Sequence, residues 1–171
     1  MRKKLMQDNP KHNTPPFSPQ TIKASNLLHA CIHRCHGNKQ KAREFTRRMR
    51  PFFRHLPGGY RKASHINVGE IILSESIPGN ARPEYVQKLH SKMVNYIKQK
   101  FQEISKRTNL GFHLEIFRHC KETIDGKLNA HIHAIFVAYN PKTKQAVNIS
   151  KRTAFQLALE IMQEIAPDMF Q

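Results

Sequence analysis

The chain has 171 residues, 39% of them hydrophobic, no Trp and a formal net charge of +17. That length suits one domain with a core of its own. No apolar run is long enough to span a membrane, no apolar stretch follows the charged N-terminus to make a secretory signal, and three cysteines are a poor basis for a disulfide framework. The expected setting is a reducing cytoplasm, and the expected partner is a polyanion.

The charge is unevenly placed. Residues 1–62 carry 15 Lys/Arg against 2 acids, and residues 63–171 carry 14 against 10. Nucleic acid is the commonest polyanion for such an asymmetry, and an anionic membrane surface is the competitor.

Residues 1–20 hold Pro10, Pro15, Pro16 and Pro19 among polar residues and read as a disordered arm. A basic helical region, 21–62, follows. Its first helix is expected from about Gln20 to His33 and is interrupted by Gly37. A second runs from about Lys39 to Arg54, with Ala42, Phe45, Met49 and Phe52 or Phe53 on its apolar side. Lys41, Arg43, Arg47, Arg48, Arg50 and Arg54, with Arg61 and Lys62 beyond, are its candidate phosphate contacts, which supply salt-sensitive affinity and little sequence information. Cys31-Ile32-His33-Arg34-Cys35-His36 gathers soft ligands, but lacks the paired spacing that closes a zinc tetrahedron, so a zinc site and a solvated helix end both stay open. Pro57-Gly58-Gly59 is the candidate boundary.

Residues 63–171 have a clearer rhythm. Val68 to Ile77 reads as a strand and Pro78-Gly79-Asn80 as its turn. Pro83 opens a long helix, with Val86, Leu89, Met93, Ile97, Phe101 and Ile104 at three- and four-residue spacing and Asn109 near its end. Phe112 to Phe117 and His131 to Tyr139 are strands joined by a hairpin at Asp125-Gly126, and Ser150 can cap a last helix. The order β-α-β-β-α is a split βαβ arrangement of the ferredoxin type, lacking one strand. Either that strand lies beyond Gln171 or it comes from elsewhere.

The third strand carries the chemistry. In Asn129-Ala130-His131-Ile132-His133-Ala134-Ile135-Phe136-Val137, His131 and His133 are two residues apart and project from one face. Two neutral imidazoles side by side make half of a divalent-metal site. The hairpin decides what joins them. With a two-residue loop, Cys120 pairs with His131 and Glu115 points away; with a one-residue bulge, His119 and Glu115 share the face of the two histidines.

Leu110-Gly111-Phe112-His113-Leu114-Glu115-Ile116-Phe117, a hairpin, and then Asn129 to Phe136 together resemble the replication initiator (Rep) proteins of rolling-circle plasmids, in the HUH endonuclease superfamily. The resemblance extends over roughly residues 65–166, with Asn67 to Ser74 at the place of the family's first sheet strand. It implies an α+β, ferredoxin-like antiparallel sheet with helices packed on one face. It also implies Mg²⁺ or Mn²⁺ held by His131, His133 and a third group, for which Glu115 is the candidate. A tyrosine would cut single-stranded DNA at origin DNA and stay joined to the 5′ end. The family's tyrosine lies on a helix beyond the His pair; here the only one after His133 is Tyr139, a weak candidate, while Tyr85 and Tyr96 precede the site. Cutting is therefore in doubt. The family also often carries zinc-like Cys spacing near its N-terminus. The alternatives are a non-catalytic nucleic-acid-binding module, with Phe112 and Phe136 as its aromatics, or a transposase or relaxase of the same superfamily.

Overall fold

The computed structural model describes residues 17–35, 38–53 and 66–169, with side chains over 21–35, 38–53 and 66–161. The fold is α+β, with a four-stranded antiparallel open sheet and four helices. The strands are β1 (Phe17–Lys23), β2 (Asn67–Ile77), β3 (Gly111–Glu122) and β4 (Leu128–Tyr139), in the order β1-β2-β4-β3. The helices are α1 (Leu27–Arg34), α2 (Lys39–Met49), α3 (Pro83–Thr108) and α4 (Lys151–Met169).

The expected β-α-β-β-α order holds from β2 to α4. Pro83 opens α3 at its first turn, and Asn109 closes it in the left-handed conformation at φ 56°. The Ser150 hydroxyl accepts the Thr153 N–H at 3.0 Å in the first turn of α4. β4 lies between β2 and β3 and runs against both, which is the split βαβ arrangement.

Three expectations are corrected. Residues 17–20 are not part of an arm: Phe17–Lys23 forms β1 and pairs with β2 from Phe17↔Leu73 to Lys23↔Asn67. The place beside β2 left for a closing strand is thus filled from the N-terminal side. Pro19, which has no N–H to donate, is tolerated because β1 is an edge strand. The helix expected from Gln20 begins instead at Leu27, after a 3₁₀ turn at Ala24–Asn26. The third concerns cover: α3 and α4 pack on one face of the sheet as expected, but the basic helices α1 and α2 cover the other. Residues 1–16, Arg54, Pro57-Gly58-Gly59, Arg61, Lys62 and His36 lie outside the described residues.

Strand alternation explains the two cores. Ile71, Leu73, Ile116, Ile132, Ala134 and Phe136 face α3 and α4, packing on Met93, Ile97, Phe101, Ala154 and Ile161. Val68, Phe117, Ile135 and Val137 point the other way, onto Leu27 and Cys31 of α1 and Ala42, Phe45 and Met49 of α2. α2 is thus amphipathic as its spacing predicted, and it is seated on the sheet. Gly69 lies opposite Phe136 in the β2–β4 pairing, and a Cβ there would come within 2.0 Å of that ring, so glycine is what allows the two central strands and the Phe136 ring to coexist. Among the described residues, no helix is long and apolar enough to cross a membrane.

Candidate metal centre

The β3–β4 hairpin takes the bulged register. Its last pair is Glu122↔Leu128, and the loop closes with the Gly126 N–H on Thr123 O at 3.1 Å and the Thr123 N–H on Lys127 O at 2.8 Å. Gly126 sits at φ 77°, a conformation glycine adopts without strain. The one-residue difference from a two-residue loop sets His119 opposite His131 and Phe117 opposite His133. Directly paired residues share a face, so three imidazoles converge.

One ring nitrogen from each of His119, His131 and His133 lies within 4.8 Å of the others. The ring centroids are 4.9 to 5.2 Å apart. Each ring is held from outside by an acceptor: His119 Nε2 donates to Arg34 O, His131 Nδ1 donates to Asn129 O at 3.3 Å, and His133 Nδ1 donates to Glu70 Oε2 at 3.2 Å. A carbonyl or carboxylate oxygen only accepts, so these nitrogens carry the protons and the tautomers follow. The lone-pair nitrogens are then His119 Nδ1, His131 Nε2 and His133 Nε2. The first two stand 3.2 Å apart, close to the edge of about 3.4 Å expected between two nitrogens each about 2.1 Å from a tetrahedral ion.

The surroundings favour a cation. Glu70 is fully buried, with Oε1 accepting from Arg34 Nη2 at 2.9 Å and Oε2 from Arg34 Nε. Burial raises its carboxyl, but the hydrogen bonds from His133 and Arg34 and the Arg34 charge outweigh that and hold it below the ordinary value. It is therefore an ionised carboxylate behind a histidine, the usual support for a metal-ligating imidazole. The Arg34 carbonyl belongs to the last turn of α1, the negative end of the helix dipole.

The histidine pair expected to ligate is thus joined by His119. Glu115 does lie on the same face, as the bulged register requires, but it is four residues from His119, about 13 Å along the strand. Its carboxylate is held by Lys41 Nζ and Arg48 Nη2, each at 3.2 Å. The third converging group is a histidine, not this carboxylate. Tyr139 is six residues from His133, about 20 Å along β4, where its ring stacks on His113 at 4.6 Å and tilts against Phe52 at 4.8 Å. Tyr85 and Tyr96 lie on α3, which packs on the opposite face of the sheet. Tyr60 is outside the described residues.

Cys31 and Cys35 are buried in the core under α1. Burial pushes the Cys31 thiol up to about 12, and Cys35 Sγ donates to Ile32 O at 3.2 Å. The candidate phosphate contacts divide into two sets. Arg43, Arg47 and Arg50, with Lys39, are exposed along one flank of α2. Lys41 and Arg48 are on the other flank, facing Glu115, and Lys41 Nζ also donates to Ile116 O at 2.7 Å.

Glu70 and Arg34 were missed in the sequence. A glutamate amid Val68, Gly69, Ile71, Ile72 and Leu73 signalled a buried partner, but its pairing opposite Ile135, beside His133, depends on the β2–β4 register. Comparison with protein-family models, curated proteins and solved structures finds no match. The assignment therefore rests on the site itself.

Proposed function

We propose that this protein is a DNA-binding, metal-dependent strand-nicking protein of the rolling-circle initiator type. The observation that carries the reading is the convergence of His119, His131 and His133 with their tautomers set for ligation, on a sheet capped by a basic helix. Three imidazole nitrogens suit Mn²⁺ better than Mg²⁺, which prefers oxygen. Such an ion, once bound, would polarise a phosphodiester as a Lewis acid. The chain's own part is to hold the three rings, with Glu70 fixing His133 and the α1 carbonyl fixing His119, and to anchor the DNA backbone through the exposed flank of α2.

A specific observation supports a second reading, a metal-dependent DNA-binding module that does not cut. Tyr139 is remote from the histidines and packed between aromatic rings, and Tyr85 and Tyr96 are across the sheet. One experiment separates the two. Labelled single-stranded DNA from the region flanking the coding sequence is incubated with protein and Mn²⁺ and run on a denaturing gel. A covalent adduct, absent in His131→Ala/His133→Ala, is the result expected of a nicking protein. DNA binding without an adduct selects the second reading.

A further inference from the structure

Arg34 reaches two of the three imidazoles from outside, one directly and one through Glu70. Its main-chain carbonyl accepts from His119 Nε2. Its guanidinium makes a two-pronged bond to Glu70, and Glu70 in turn accepts from His133 Nδ1. The guanidinium is itself steadied by Nη1 donating to Ala30 O at 3.0 Å, one turn back in α1. Glu70 is fully buried and the Arg34 side chain only 17% exposed, so the carboxylate has no solvent as an alternative partner.

We propose that Arg34 and Glu70 are a positioning pair for the metal centre, and that through them the site is complete only while α1 is docked on the sheet. The inference rests on the metal reading above. The fork of an arginine suits the task, because two parallel bonds fix the carboxylate plane where a lysine would fix only one oxygen. A fixed carboxylate fixes the His133 ring, and the same helix end fixes the His119 ring. Undocking α1 would release both at once and leave His131 alone oriented by its own strand, through Asn129 O. By linkage, a bound ion then favours the docked helix as strongly as the docked helix favours the ion.

The test is metal affinity set beside stability in full-length protein. Mn²⁺ is titrated calorimetrically into wild type, Glu70→Gln, Arg34→Ala and the double variant Arg34→Met/Glu70→Leu, each also unfolded in urea without metal, and the Co²⁺ visible spectrum is recorded. Replacing a buried ion pair with apolar groups of similar size is often neutral or stabilising, so the double variant keeps the fold while removing the support. Losses of about 10- to 100-fold in Mn²⁺ affinity are expected in all three variants. The double variant should show this loss, and an altered Co²⁺ spectrum, while still unfolding cooperatively in urea, with stability reduced only by the unpartnered His133 Nδ1–H. Wild-type affinity in the double variant would overturn the positioning role while leaving the metal centre standing. Failure of wild type to bind Mn²⁺ or Co²⁺ would overturn the metal reading and this inference with it.

Discussion

The exposed flank of α2 makes a quantitative prediction about salt. Lys39, Arg43, Arg47 and Arg50 are spaced by four, four and three residues, so they form one stripe about 16 Å long. A B-form duplex carries one phosphate charge per about 1.7 Å of its axis, so each residue of the stripe has phosphates within reach. Each phosphate neutralised contributes about 0.7 to the slope of log K against log salt on a single strand, and about 0.9 on a duplex. Arg43→Ala/Arg47→Ala should therefore flatten the slope by about 1.4 to 1.8. Over a fourfold rise in salt, from about 50 to 200 mM, the double variant should lose about 7- to 12-fold less affinity than wild type loses. Alanine is the best helix former, so α2 itself is not weakened by the change. Arg48→Ala is the internal control: its guanidinium is already 3.2 Å from Glu115, so its removal should scarcely alter the slope. The measurement is fluorescence anisotropy of labelled DNA across a salt series. An unchanged slope in the double variant, or an equal change in Arg48→Ala, would refute the assignment of this flank to phosphate.

Three further outcomes are expected. Mn²⁺ at about one hundred times its dissociation constant should stabilise the fold by about 2.7 kcal/mol, a rise in Tm of about 5 to 10 °C in scanning calorimetry, and His131→Ala/His133→Ala should abolish that rise; a rise that survives would place the ion elsewhere. Phe45→Ala should cost about 3–5 kcal/mol in urea unfolding, because its ring is fully buried between α2 and the sheet; a cost well below that range would mean α2 does not hold the seat described here. His113 has its basicity lowered below the ordinary 6.5 by burial and by the charges of Arg48 and Lys144. The unfolded chain then binds the proton more readily, so this contribution is intact above about pH 6.5 and is lost as pH falls towards the lower folded value. His113→Phe keeps an aromatic ring against Phe52 and Tyr139, and should lose less stability between pH 7.5 and 5.5 than wild type; equal losses would remove His113 as the cause.

α3 was legible because its apolar residues recur at three and four and bury one face, and β2 and β4 because each is a short apolar run whose side chains alternate with period two between the two cores. The same rule placed His131 and His133 together. What it does not reach is pairing. The identity of the third group turned on one residue in the hairpin loop, and Asp125-Gly126 is compatible with either length; only the left-handed Gly126 and the Thr123–Lys127 bond select the bulge. β1 was hidden for another reason. Phe17-Ser18-Pro19-Gln20-Thr21-Ile22-Lys23 has weak alternation and a proline, and its strand character comes from the open edge of β2 that it completes. Of the six basic residues read as one side of a helix, the five that are described fall on two flanks, because helical phase turns Lys41 and Arg48 away from Arg43, Arg47 and Arg50 and towards Glu115 of β3.

The place of the centre on the sheet follows from these contacts. On the histidine face, α1 and α2 cover Val68, Phe117, Ile135 and Val137, which are apolar and gain from burial. Further along, the same face carries Ile72, Ser74 and Ser76 of β2, opposite His133, His131 and Asn129 of β4. These residues offer no apolar surface continuous enough to seat a helix, and Ser74 and Ser76 stay partly or fully exposed. The cover therefore ends where the side chains change from apolar to polar, and the three histidines lie at that seam. One side of the seam supplies Glu70, Arg34 and the end of α1, which fix the rings and favour positive charge. Among the described residues, the other side is sheet without a helix over it, from which the ring nitrogens can be approached. A helix covering the whole face would orient the histidines equally well and close them to solvent. A bare face would leave the rings open but lose the Arg34 carbonyl that holds His119 and the guanidinium that fixes Glu70 behind His133.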